Sequence, residues 1–288
     1  MQDAGSFETA VVIGGGTMGR GIAQVAAMAG LETTLVDLSE EVLDGAYRGI
    51  LAALDKGVDR GKLNEQQRGE AVARLATSTD LGGSLPSAQV VIEAVPESLE
   101  LKRRIFAQLG ELCGPSTLLA TNTSSLPIGE IASAAAHPER VVGMHFFNPV
   151  HIMKLVEVVR ASHSSPEAVA AAVGLAERMG KEPIVVSDSP GFASSRLGLV
   201  IGLEAIRMLE SGVASAEDID KAMTLGYGFP MGPLRLTDLV GLDVRLHIAE
   251  FLAESLGKHF EPPQLLRDMV AEGRLGKKSG RGFYDWGS

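Results

Sequence analysis

The sequence predicts an α/β chain: an N-terminal part in which short strands alternate with helices, then an all-helical C-terminal part. Three observations predict it. Short apolar runs rich in β-branched residues recur through residues 1–187, and amphipathic runs of helical period separate them. Beyond the turn sequence Ser187-Asp188-Ser189-Pro190-Gly191-Phe192 the strand signal stops while the helical signal continues to the aromatic tail.

Taken in order, the strands are Thr9–Ile13, Thr33–Val36, Val90–Ala94, Thr117–Thr121 and Val141–His145. Helical patterns lie between them at Met18–Ala29, Glu40–Leu54, Glu65–Leu75, Leu99–Leu112 and Ile128–Ala135. Such alternation implies parallel βαβ units, each helix carrying the chain back over the sheet. Two further strands, Lys154–Val159 and Pro183–Ser187, flank a helix at about Pro166–Met179. The later helices are Ala193–Glu210, Ala216–Leu225, Pro233–Leu239, Asp243–Leu256 and Gln264–Glu272. Asp-Ser-Pro-Gly is turn chemistry, so the domain boundary is expected near Ser187, giving domains 1–187 and 188–288.

Composition narrows the function classes. With 45% apolar and 22% charged residues the chain is globular rather than disordered or fibrous. Lys+Arg 26 against Asp+Glu 36 leaves a net charge of −10, which argues against nucleic-acid or anionic-membrane binding. An anionic ligand must therefore be met by local groups. The single cysteine, Cys113, excludes an intramolecular disulfide or a thiolate metal cluster, and no metal is expected. The residues before Thr9 lack the basic flank and apolar core of a signal peptide. Glu204 and Arg207 interrupt the longest apolar stretch, Leu197–Leu209, which falls short of a membrane span. A cytoplasmic protein is expected.

The chemistry begins at Gly14-Gly15-Gly16-Thr17-Met18-Gly19, a G-x-G-x-x-G run between the first strand and the first helix. Gly14 permits the tight turn, Gly16 lets a pyrophosphate approach the backbone, and Gly19 lets helix and strand pack closely. The unpaired N–H groups of the helix start, at Thr17 and Met18, suit the phosphates. Asp37 follows the second strand, eighteen residues beyond Gly19, where an acid accepts hydrogen bonds from the adenosine ribose. Its charge would repel a 2′-phosphate, so the expected cofactor is NAD rather than NADP.

His145 ends a strand, and ligands of open α/β sheets bind outside the carboxyl ends of strands. Glu157 interrupts the apolar run Leu155-Val156-Glu157-Val158-Val159, where an unpaired carboxylate would be costly to bury. A pair with His145 would hold the imidazole in one tautomer and raise its basicity, as a general base needs. The alternative is a structural pair of Glu157 with Lys154 or Arg160. Thr121-Asn122-Thr123-Ser124-Ser125 follows another strand and reaches the same rim. Its hydroxyls either orient a substrate oxygen or the nicotinamide, or form an ordinary polar loop that caps the next helix.

Together with Ala120–Leu126, Gly143–Pro149, Met153–Val159, Asp188–Phe192, Met231-Gly232-Pro233 and Lys277–Tyr284, these motifs resemble the 3-hydroxyacyl-CoA dehydrogenase family over nearly the whole chain. The resemblance implies an N-terminal Rossmann-type dinucleotide-binding domain and a helical second domain that forms a homodimer and closes over the acyl-CoA. His145 then matches the general base and Glu157 its orienting partner. Ser124 matches the serine contacting both substrate hydroxyl and nicotinamide, Asp37 the ribose acid, and Glu97 and Lys102 further NAD-side positions. Lys278 matches a basic residue near the cofactor, and Arg60 a CoA-phosphate contact within the cluster Lys56, Arg60, Lys62; an ordinary solvated basic face is the alternative for that cluster.

One position departs from the family pattern. Where an asparagine usually precedes an arginine after Pro-Gly-Phe, this chain reads Ala193-Ser194-Ser195-Arg196. Ser195 is shorter and lacks the amide's second donor. Losing one oriented contact costs about tenfold to a thousandfold in rate unless Ser194 or a water replaces it, so the departure bears on substrate rather than reaction class. The implied reaction is reversible NAD-dependent oxidation of a short- to medium-chain (3S)-3-hydroxyacyl-CoA, such as 3-hydroxybutyryl-CoA, as in fatty-acid β-oxidation. The alternatives are a free hydroxy acid or a carboxylated thioester such as 3-hydroxyadipyl-CoA, and, in another class, a non-catalytic NAD-binding protein.

Overall fold

The computed structural model describes residues 6–287. Most of the segment before Thr9 that was read for a signal peptide, residues 1–5, lies outside the described residues. The chain divides into two compact units, Met1–Ser189 and Pro190–Ser288.

The first unit is built on one eight-stranded sheet, in the order β3-β2-β1-β4-β5-β6-β7-β8. In chain order it runs β1 (Thr9–Ile13), α1 (Thr17–Met28), β2 (Glu32–Val36), α2 (Glu40–Asp59), α3 (Glu65–Ala73), β3 (Leu75–Ser78) and α4 (Leu81–Ser84). It continues β4 (Val90–Glu93), α5 (Leu99–Leu112), β5 (Leu118–Thr121), α6 (Ile128–Ala132), β6 (Val141–Phe146), β7 (Leu155–Arg160), α7 (Pro166–Arg178) and β8 (Glu182–Ser187). The strands β1 to β6 form a doubly wound parallel sheet whose order reverses between β1 and β4, and that switch point opens a crevice at the strands' carboxyl ends. Val12, Leu35, Ile92, Leu118 and Val142 are wholly buried within its core, as a sheet covered on both faces requires.

Beyond the sequence expectation the structure fixes one direction and alters two elements. β7 runs antiparallel to β6. The eight residues 147–154 that join them are too few for a parallel crossover, which needs a dozen or more. β3 is an extra edge strand where a helix was expected to run to Leu75; its side chains are only partly buried, so it lacks an apolar signature. α2 extends to Asp59 rather than Leu54.

The second unit is helical: α8 (Ser194–Glu210), α9 (Ala216–Gly226), α10 (Pro233–Val240), α11 (Leu242–Leu256) and α12 (Gln264–Ala271). These close around their own core of Leu199, Leu203, Leu234, Leu242, Leu252 and Leu266. Buried Asp238 ties the tail down, accepting from the backbone N–H groups of Phe283 and Tyr284 and from the Trp286 indole.

Candidate active site

The glycine loop leaves β1 in a conformation that only glycine suits. Gly14 has φ +106°, and a Cβ there would lie 2.6 Å from the Ala94 carbonyl oxygen. At Gly19 a Cβ would come within 1.7 Å of the Gly14 carbonyl oxygen, so this glycine sets the approach of α1 to the strand. Gly16 is different. A Cβ there would meet nothing within 4 Å, which leaves open space above the backbone. α1 also starts at Gly16 without a side-chain cap, whereas α2, α3, α5 and α7 are capped by Ser39, Asn64, Ser98 and Ser165. Its first N–H groups, from Thr17 onward, are thus available to an anion. Asp37, at the end of β2, accepts from the Gly15 N–H at 2.7 Å and the Ser39 N–H at 3.2 Å. A bare glycine over open space, an uncapped helix start and an adjacent acid fit the pyrophosphate and ribose of a dinucleotide.

The antiparallel register sets His145 directly opposite Glu157. Cross-strand neighbours share a face of the sheet, so the two side chains meet. His145 Nδ1 lies 2.7 Å from Glu157 Oε2, with the carboxylate wholly buried. An ionised carboxylate only accepts, which places a hydrogen on Nδ1 and leaves Nε2 as the basic nitrogen. The Phe147 ring packs against the imidazole at 4.4 Å between centroids. The alternative partner Lys154 pairs instead with Glu182 at 3.1 Å.

The loop after β5 is held residue by residue. Thr121 Oγ1 donates to Glu93 Oε2 at 2.7 Å. Asn122 gives its N–H to the Glu93 carbonyl at 2.7 Å, and its side-chain oxygen accepts from the Phe146 N–H at 2.9 Å, which ties the loop to the strand bearing His145. Glu97 Oε1 accepts from Thr123 Oγ1 at 2.6 Å and from Ser124 N and Oγ at 3.0 and 3.3 Å. Ser124 and Glu97, separate candidates in the sequence, thus form one unit.

Lys102 lies deeper than a surface contact would. Expected on the cofactor side, it is wholly buried in the first turn of α5, with its ammonium 2.7 Å from Glu93 and 3.5 Å from Glu97. It reaches the rim only through those carboxylates. Glu93 itself, wholly buried at the end of β4, was missed by the sequence reading. The available signal was the one used for Glu157, a carboxylate ending the apolar run Val90-Val91-Ile92.

Lys56 and Arg60 are exposed at the C-terminal end of α2. Nearby, a cleft of about 150 Å³ is lined by Thr17, Arg20 and Gln24 of α1, Gly49 and Ala53 of α2, and Asn148 and His151 after β6. Burial holds the His151 pKa below the usual histidine value, and the charges of Lys181, Lys62 and Lys56 lower it further. Arg20 lines the cleft, and Lys56, Lys62 and Lys181 lie near enough to act on His151. The sequence reading missed Arg20, His151 and Lys181. In the second unit, Ser195 lies half-buried in the first turn of α8, and Lys278 pairs with Asp243 of α11 at 2.6 Å.

Residues 9–189 match the family model of the 3-hydroxyacyl-CoA dehydrogenase NAD binding domain, and residues 191–286 that of the 3-hydroxyacyl-CoA dehydrogenase C-terminal domain. The chain is similar to a probable 3-hydroxybutyryl-CoA dehydrogenase of Bacillus subtilis, with 45% identity over 96% of each chain. It is 47% identical to a 3-hydroxyadipyl-CoA dehydrogenase of Escherichia coli over 98% of its own length, while spanning only 59% of that relative. Among solved structures it is similar to (S)-3-hydroxybutyryl-CoA dehydrogenase PaaH1 from Ralstonia eutropha. There the TM-score is 0.94 at 39% identity, covering 98% of this chain and 99% of that one.

Proposed function

The chain belongs to the 3-hydroxyacyl-CoA dehydrogenase family, and on that premise we propose that it catalyses the reversible, NAD-dependent oxidation of a (3S)-3-hydroxyacyl-CoA to the 3-oxoacyl-CoA. Short to medium chains such as 3-hydroxybutyryl-CoA are the substrates. The observation that carries this reading is the buried His145–Glu157 pair at 2.7 Å, beside a rim that presents Ser124.

NAD, when bound, supplies the hydride acceptor. Gly14, Gly16, Thr17, Met18 and Gly19 would hold its pyrophosphate, Asp37 its ribose, and Glu97, Ser124 and Lys278 its nicotinamide side. His145 Nε2 takes the hydroxyl proton as C3 becomes a carbonyl carbon, and Glu157 stabilises the imidazolium that forms. Ser124 orients the reacting oxygen, and Ser195 takes up the acyl carbonyl. The cleft beside Arg20 and His151, leading toward Lys56 and Arg60, receives the phosphates of the CoA arm. We place the enzyme in the cytoplasm as a homodimer formed through the second unit.

The test is the initial rate of NADH oxidation with acetoacetyl-CoA, run beside free acetoacetate and beside NADPH. Turnover with the thioester and NADH alone is expected. Comparable turnover of the free acid, or none of the thioester, overturns the assignment. A second reading, a carboxylated acyl chain, is favoured by the name of the E. coli relative at 47% identity and by Ser195 in place of the family's asparagine. A kcat/KM for 3-oxoadipyl-CoA above that for acetoacetyl-CoA would establish it.

A further inference from the structure

The geometry points to Lys102 as a positioning residue of the active-site rim, acting through Glu93 and Glu97. The inference rests on the dehydrogenase reading only for the role that reading gives Ser124.

A wholly buried ammonium is costly unless carboxylates meet it, and Lys102 meets two, Glu93 at 2.7 Å and Glu97 at 3.5 Å. Glu93 alone would neutralise it. Glu93 is also well satisfied, because it accepts from the Val95 N–H as well as from Lys102 and Thr121. Glu97 is the asymmetric member: its side chain is 35% exposed, so water competes for it. Its Oε1 nevertheless gathers three donors from Thr123 and Ser124. To hold three donors on one oxygen the carboxylate must be fixed in place and kept charged, and the ammonium beside its Oε2 does both. One buried cation thus sets two carboxylates that grip the same loop at residues 121, 123 and 124. Between them Asn122 links the loop to the strand of His145. The position of the Ser124 hydroxyl is therefore set from within, by a buried residue.

Lys102→Met alone would leave Glu93 buried without a counter-charge and is expected to destabilise the fold. The deciding variant is the pair Glu93→Gln with Lys102→Met, neutral and close in shape, with Glu93→Gln as its control because that variant keeps Lys102 beside Glu97. Hydrogen–deuterium exchange of the peptide containing Ser124 is measured in the protein without cofactor, together with melting temperature and acetoacetyl-CoA reduction. In the pair, melting near the wild-type temperature is expected, with exchange about tenfold faster and kcat about tenfold lower. The control should keep its protection at Ser124. Wild-type exchange and kcat in the pair would overturn the inference and reduce Lys102 to a counter-ion for Glu93. A wild-type protein that fails to reduce the thioester would instead sink the dehydrogenase reading, and exchange at Ser124 would still decide the role of Lys102.

Discussion

A carboxylate inside an apolar strand persists only where donors satisfy it, and Glu157 is satisfied by an imidazole. On the proposed mechanism two contributions are bound up in that contact: orientation of the ring, and a negative charge beside the imidazolium that would form during proton transfer. Glu157→Gln separates them, because the amide oxygen still accepts from Nδ1–H while the charge is gone. The expected outcome is a kcat lowered about a hundredfold at unchanged NADH affinity, since the lost charge acts only as the proton arrives. Steady-state kinetics beside a fluorescence titration of NADH would check it. A wild-type kcat would mean that Glu157 only fixes the ring.

Elements, not single residues, build the cofactor end of the crevice, and the glycines of the β1–α1 turn divide that work in a testable way. Gly16 has extended backbone geometry, φ −67° and ψ −172°, which alanine also adopts. Gly16→Ala should therefore melt near the wild-type temperature yet bind NADH about tenfold or more weakly, because its methyl fills the space open to the pyrophosphate. Gly19→Ala drives a methyl into the Gly14 carbonyl, so melting temperature and NADH affinity should fall together. Thermal melts and NADH titrations distinguish the two; an equal loss of stability in both would refute the division. This turn was legible in the sequence because glycine spacing, strand and helix all lie within residues 9–29. The His145–Glu157 pair was legible because a misplaced carboxylate stands out in an apolar run. Glu93 carried the same mark but closes its strand, where an acid reads as the start of a polar loop. The burial of Lys102 was hidden for another reason. In sequence it sits among Glu100, Arg103 and Arg104, and only the packing of α5 turns it inward while Arg103 and Arg104 stay exposed. The direction of β7 could have been read from its short connection, whereas β3 carries too little buried apolar surface to be seen.

At the scale of the whole molecule, the second unit raises the question of what covers its exposed apolar side chains. Eight of the sixteen large apolar side chains exposed among the described residues fall in the second unit, which is about half the length of the first. Leu197, Val213, Leu225 and Tyr227 are 60%, 63%, 82% and 78% exposed. A unit of this size buries a small share of its surface, and association is a common way to cover such residues. The occupant proposed for them is a second copy of the chain, since a homodimer interface is self-complementary and more apolar than an ordinary surface. Light scattering after size exclusion should therefore give twice the 30.2 kDa chain mass. Leu225→Asp combined with Tyr227→Asp should shift the protein toward that single-chain mass. NADH binding should survive the change, because every glycine-loop and ribose-acid position lies in the first unit. A wild-type protein at 30.2 kDa would remove the dimer from the proposal and leave those side chains as solvated surface.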